Sequence, residues 1–84
     1  MYSLIAVPPT KKANLNEVVG VNLRRLRNAL GVSQDEFADI ASLHRTYIGA
    51  VERGERNITL DTLQRIADAL NVDPVALLKE AKDA

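Results

Sequence analysis

Between Arg45 and Asn57 the chain sets long hydrogen-bond donors beside small residues at helical spacing. Residues three and four apart share one face of an α-helix. On that spacing Arg45, Thr46, Gly49, Ala50 and Arg53 form one side, and Ile48 and Val51 form the other. The first side is basic, polar or small; the second is apolar. The chemistry open to the first side is non-covalent recognition of a polar groove. An arginine guanidinium can pair in bidentate fashion with guanine O6 and N7, and a threonine can meet a thymine methyl or a base edge. A helix entering the DNA major groove, about 12 Å wide, needs such donors together with small residues that let its backbone approach. Gly49 and Ala50 fit that second need, because a glycine inside a helix costs about 1 kcal/mol relative to alanine. Arg53, Arg56 and Asn57 suit phosphate oxygens, with Arg56 a second candidate for a base edge. Tyr47 is either a phosphate donor through its hydroxyl or an aromatic at the core edge, and the two roles are compatible.

Other chemistries are excluded early. The chain has no cysteine and a single histidine, His44. That removes disulfides, thiolate catalysis and cysteine or multi-histidine metal sites. No nucleophile stands beside a base, and no glycine-rich phosphate loop or cofactor fingerprint is present. Asp35, Glu36 and Asp39 read as the solvated side of a helix rather than an acid–base pair. The sequence therefore predicts no enzyme, no cofactor and no metal. Eleven basic and 11 acidic residues give a formal net charge of zero, so any attraction for nucleic acid must come from the distribution of charge. Lys11, Lys12, Arg24, Arg25 and Arg27 are opposed by Glu17 alone over residues 11–27. Arg24 and Arg25 are a solvated helix face or, for Arg24, a phosphate contact.

The elements that must hold this face follow from apolar period and caps. Leu15 to Leu30 reads as a first helix, with Asn14 and Glu17 as a capping box, the stripe Val19, Leu23, Leu26 and Leu30, and Gly31 as the left-handed stop. Ser33 and Glu36 make a second capping box ahead of Phe37, Ala38, Ile40 and Ala41. Ser42 and Leu43 break the pattern, and a third helix runs from Arg45 to Arg53, capped by His44 and ended by Gly54. Thr59 caps a fourth, with Leu60, Leu63, Ile66, Ala67 and Leu70. Asp73 and Pro74 open a fifth. The prediction is an all-α, five-helix domain over residues 14–84, preceded by an extended or flexible arm at 1–13. With 4% aromatic residues, its core must be built from Leu, Ile, Val and Ala.

Ser33 to Gly54, SQDEFADIASLHRTYIGAVERG, places a helix, a tight turn and a second helix in the order of a helix-turn-helix, with Ala38 as the small residue at the crossing. Together with VGVNLRRLRNALGVSQDEFA, LHRTYIGAVERGERN and ITLDTLQRIADALNVDPVALL, the chain resembles the lambda-repressor-like (Cro/repressor-type, XRE) helix-turn-helix regulators from about Val19 to Leu78. Ser42 departs from the glycine usual at that turn. HRTYIGAVERGERN is also similar to the controller proteins of restriction-modification operons. The resemblance implies base contacts from Arg45, Thr46, Gly49, Ala50 and Arg56. It implies phosphate contacts from Gln34, Tyr47, Arg53, Asn57 and Arg24, with Gln34 aided by the helix dipole. It also implies that Arg27 and Glu52 pair across helices one and three instead of touching DNA.

A single helix-turn-helix reads few base pairs, so this class binds two half-sites about 34 Å apart as a dimer. Val72, Val75, Leu77 and Leu78 are the predicted homodimer interface. The partners expected are operator DNA, a second copy and RNA polymerase, with no membrane. The apolar segment at Met1–Pro9 lacks a basic start and makes a poor signal peptide, so a cytoplasmic, nucleoid-associated protein is the default. The alternative is an antitoxin or protein-interaction module of a toxin–antitoxin operon, using the arm at 1–13 and the tail Ala81–Ala84.

Overall fold

A computed structural model describes residues 14–80, so the expectations placed on the arm and the tail lie outside the described residues. The described residues form α1 (Leu15–Leu30), α2 (Gln34–Ala41), α3 (Arg45–Glu52), α4 (Leu60–Leu70) and α5 (Val75–Leu78), with no strand among them. The order and type match the sequence prediction, and α3 stops one residue early because Arg53 is its C-cap.

Caps explain most of the boundaries. Ser33 and Glu36 form the full capping box: Ser33 Oγ accepts from Glu36 N at 3.0 Å, and Ser33 N donates to Glu36 Oε1 at 2.8 Å. Thr59 Oγ1 accepts from Thr62 N, and Asp73 Oδ1 accepts from Val75 N. Two expected caps differ. Asn14 Oδ1 accepts from Asn16 N at 2.8 Å, so α1 starts on a single asparagine cap and not on a box with Glu17. His44 makes no side-chain cap, and only its backbone carbonyl takes the first helical bond, from Ile48 N.

The α2–α3 turn is set by Ser42, which adopts the left-handed region at φ 59°. Its N–H and that of Leu43 return to the last carbonyls of α2, Asp39 O and Ala38 O. That closure satisfies groups the helix end leaves open. It holds a non-glycine residue where the Cβ is crowded, at a cost of roughly 1–2 kcal/mol.

Leu23, Phe37, Ile48, Ile66 and Leu77 are fully buried and meet in one core with Val19, Ala38, Val51, Leu63 and Leu70. Every helix contributes, and α1 packs against α3, α4 and α5. Leu30, Ile40 and Leu60, assigned to the apolar stripes from sequence, are instead about half or more exposed. Each lies near a helix end, where the stripe runs past the neighbour it packs on.

Candidate nucleic-acid interface

The core holds α3 by its inner side. Ile48 and Val51 are 0% and 2% exposed, which leaves Arg45 and Thr46 projecting from the N-terminal turn. That end of the helix is therefore free while the far end is fixed.

The far end is fixed by a hydrogen-bonded cluster. Arg27 Nε donates to Glu52 Oε2 at 2.6 Å and Arg27 Nη2 to Glu52 Oε1 at 3.1 Å. Arg27 Nη1 donates to Val32 O at 2.8 Å. Gln34 Nε2, from the start of α2, donates to Glu52 Oε1 at 2.9 Å. The two charged side chains are 10% and 4% exposed. Hydrogen bonding to Glu52 raises the Arg27 pKa above its ordinary value, against partial burial that lowers it. One carboxylate at the end of α3 thus ties together α1, the start of α2 and the α1–α2 turn. Gly20 brings α1 still closer: a Cβ there would stand 2.5 Å from Val51 O and 2.6 Å from Glu52 O.

The outer face is narrower than its sequence suggests. Gly49 and Ala50 are both buried. Gly49 lies beneath side chains, since a Cβ at that position would meet Arg53 Nη1 at 3.3 Å and Gln34 Oε1 at 3.5 Å. The loop after α3 folds back onto the Ala50 carbonyl, which accepts from Glu55 N at 2.9 Å. These two residues give the helix its slim profile and expose almost no side-chain surface of their own in the free chain.

Four of the remaining predicted contact residues, Arg45, Arg53, Arg56 and Asn57, have partners within the molecule. Arg45 Nε lies 2.9 Å from Asp35 Oδ1 of α2. Arg53 Nε donates to Glu55 Oε2 at 3.0 Å, and this bond and the charge behind it hold the Arg53 pKa above its ordinary value. The Arg56 guanidinium stacks on the half-buried Tyr47 ring, 4.9 Å from its centroid. Asn57 Oδ1 accepts from Asn16 Nδ2 at 2.7 Å, tying the loop to α1. Arg24 is exposed on α1, on a shallow surface shared with Val21, Arg25 and Asn28.

At the other end of the domain, Leu77 is 0% exposed and belongs to the core, which removes it from the predicted dimer surface. A domain this small needs its last helix to close it. Val75 and Leu78 are exposed at 55% and 39%, and Val72 is partly buried against the core. Asn22 of α1, 1% exposed, holds α5 in place: its Nδ2 donates to Leu77 O at 2.9 Å and Lys79 O at 2.8 Å, and its Oδ1 accepts from Arg25. Sequence reasoning missed Asn22, Gly20 and the Arg45–Asp35 pair. The available signals were a polar residue three places after Val19 in an apolar stripe, and a glycine seven residues before Arg27 on the same helix face.

Comparison with known proteins agrees with this geometry. A helix-turn-helix family model matches residues 23–77. The control protein C.SmaI of Serratia marcescens is 49% identical over 65 residues, covering 77% of this chain and 77% of that protein. The control protein C.BamHI of Bacillus amyloliquefaciens is 41% identical over 66 residues, covering 77% of this chain and 82% of that protein. Among solved structures, the restriction-modification controller protein C.AhdI of Aeromonas hydrophila superposes with a TM-score of 0.71 at 42% identity, covering 74% of this chain and 94% of that one. These names favour a regulator over the toxin–antitoxin module. With a turn closed by Ser42, a second helix anchored through Glu52 and an outward Arg45, the chain belongs to the helix-turn-helix family of DNA-binding transcriptional regulators, which are not enzymes.

Proposed function

We propose that this chain is the controller of a restriction-modification operon and binds a palindromic operator as a homodimer. The observation that carries the reading is the asymmetry of α3: Ile48 and Val51 sit in the core while Arg45 and Thr46 project from the helix start. Base contacts come from Arg45 and Thr46, with Arg56 able to join them by leaving Tyr47. Gly49 and Ala50 keep the helix slim enough to enter the groove. Gln34, Tyr47, Arg53, Asn57 and Arg24 contact phosphates, with Gln34 at the start of α2, where the helix dipole favours an anion.

Dimerisation uses Val75 and Leu78 beside Val72, which sets two copies of α3 on successive major-groove faces. Occupancy of the operator then blocks RNA polymerase or recruits it, in the cytoplasm and on the nucleoid. The relatives named as control proteins support the operon assignment. The test is selection of bound duplexes from a random pool. A two-fold symmetric consensus with half-sites one helical turn apart is the expected result, and a pool that shows no enrichment would overturn the reading.

A further inference from the structure

Each arginine carried outward by α3 and the loop after it has a partner inside the molecule. Arg45 faces Asp35, Arg53 faces Glu55, and Arg56 lies on Tyr47. Both ion pairs are open to solvent, with side chains 63% and 70% exposed in the first and 60% and 55% in the second. Exposed pairs of this kind do little for stability. The chain as a whole adds no surplus positive charge, with 11 acids against 11 bases. The DNA-facing surface is therefore rich in donors and nearly neutral.

That combination matters because binding to arbitrary duplex is driven by phosphate neutralisation and counterion release. Recognition of a particular base pair is driven by donor geometry in the groove. The pairing geometry separates the two. In both pairs the carboxylate sits against Nε. A guanidinium has five N–H donors, and with the carboxylate placed beside Nε the two terminal nitrogens remain for guanine O6 and N7. Arg45 can thus meet a guanine without leaving Asp35. A move of Arg45 onto a phosphate either breaks the pair or carries the Asp35 carboxylate toward a like charge, well inside the screening length of about 10 Å at 0.1 M salt.

We propose that Asp35 and Glu55 are specificity-determining residues: they hold Arg45 and Arg53 in neutral pairs that disfavour phosphate-driven binding to arbitrary duplex and leave guanine pairing intact. Discrimination gained by penalising the wrong partner is a general route to specificity. The inference rests on the operator-binding reading.

The test uses the whole chain and the variants Asp35→Asn, Glu55→Gln and the double variant, with Asp68→Asn on the exposed end of α4 as a charge-matched control. Each is titrated on the selected operator and on a scrambled duplex of equal length, across a range of salt. The expected result is several-fold tighter binding to the scrambled duplex for each variant, with a salt slope steeper by about one per removed carboxylate. The operator gains less, so the ratio of the two affinities falls, and Asp68→Asn leaves that ratio unchanged. Equal tightening on both duplexes, no change on either, or the same fall in Asp68→Asn would overturn the inference. A wild-type chain that binds both duplexes alike fails the operator reading and this inference with it. A wild-type chain with a clear preference that the variants fully retain fails this inference alone.

Discussion

Helix α3 carries an arginine–carboxylate pair at each end, and the two behave as different devices. At the C-terminal end Glu52 meets Arg27 with side chains 4% and 10% exposed, and no buried side-chain polar atom there lacks a partner. At the N-terminal end Arg45 meets Asp35 with both side chains mostly in water. The charges are the same and the separations similar. Burial decides what each pair does. The buried pair cannot open without leaving a charge uncompensated, so it fixes the direction of α3. The exposed pair can open or re-form at little cost, so it leaves Arg45 able to answer a ligand. The helix is pinned where it leaves the domain and adjustable where it projects.

The strongest way to break this contrast is Glu52→Ala. It strands Arg27 in a buried site and removes the acceptor for Gln34. The expected loss is about 3–5 kcal/mol, a large part of the roughly 5–15 kcal/mol typical of a whole domain. Urea unfolding measures it. A paired replacement, Arg27→Met with Glu52→Leu, should return stability close to wild type, because apolar groups of similar volume can replace a buried pair. Operator affinity should stay low in that variant. Full recovery of both would reduce the cluster to a stabilising device that does not aim the helix.

Two glycines sharpen the same division. Gly20 faces the pinned end, where a Cβ would stand 2.5 Å from the Val51 carbonyl oxygen, a backbone atom that cannot turn away. Gly49 faces outward on the same helix, where its Cβ would meet only the tips of the Arg53 and Gln34 side chains. Gly20→Ala should cost about 1–3 kcal/mol through overpacking. Gly49→Ala should be close to neutral or gain up to about 1 kcal/mol in helix propensity. Thermal melts of the two variants side by side should separate them by several degrees in a domain of this size.

The contrast also marks how far the sequence could be read. Element order followed from apolar period and from caps such as Ser33–Glu36, which act within four residues and so are local in the chain. The arginine and glutamate of the cluster were legible through resemblance, but Gln34 bonding to Glu52 was not, because its two partners come from helices whose relative angle no local pattern encodes. The same holds for Asn22, whose role depends on where the end of α5 falls in space. Gly49 and Ala50 were placed on the right side of the helix, but their burial depends on the long side chains of Gln34 and Arg53 and on the returning loop. Leu77 was misassigned to a partner surface because an apolar residue in a terminal helix looks the same whether it closes its own core or meets a second copy.

A smaller and more selective effect is expected at the adjustable end. Arg45→Ala should lower operator affinity by about 1–3 kcal/mol and relax preference at one base pair in each half-site. Binding to the operator and to single-base variants measures this. A uniform loss across all sequences would make Arg45 a phosphate contact. The fold should hardly change, since the Arg45 side chain is 63% exposed and lies outside the core.

The smallest effect should come from Asp35→Asn read as stability. The substitution removes an exposed ion pair, worth about 0–1 kcal/mol, and one acid from the first turn of α2. The capping box of Ser33 and Glu36 stays in place beside it, so the helix start keeps its main support. The expected loss is about 0.5 kcal/mol in urea unfolding, several-fold below that of Glu52→Ala. The two variants each take one carboxylate from an ion pair at one end of α3, and the pairs differ chiefly in burial. Comparable losses would mean that Arg45 is as firmly built into the domain as Arg27, and α3 would then have no adjustable end.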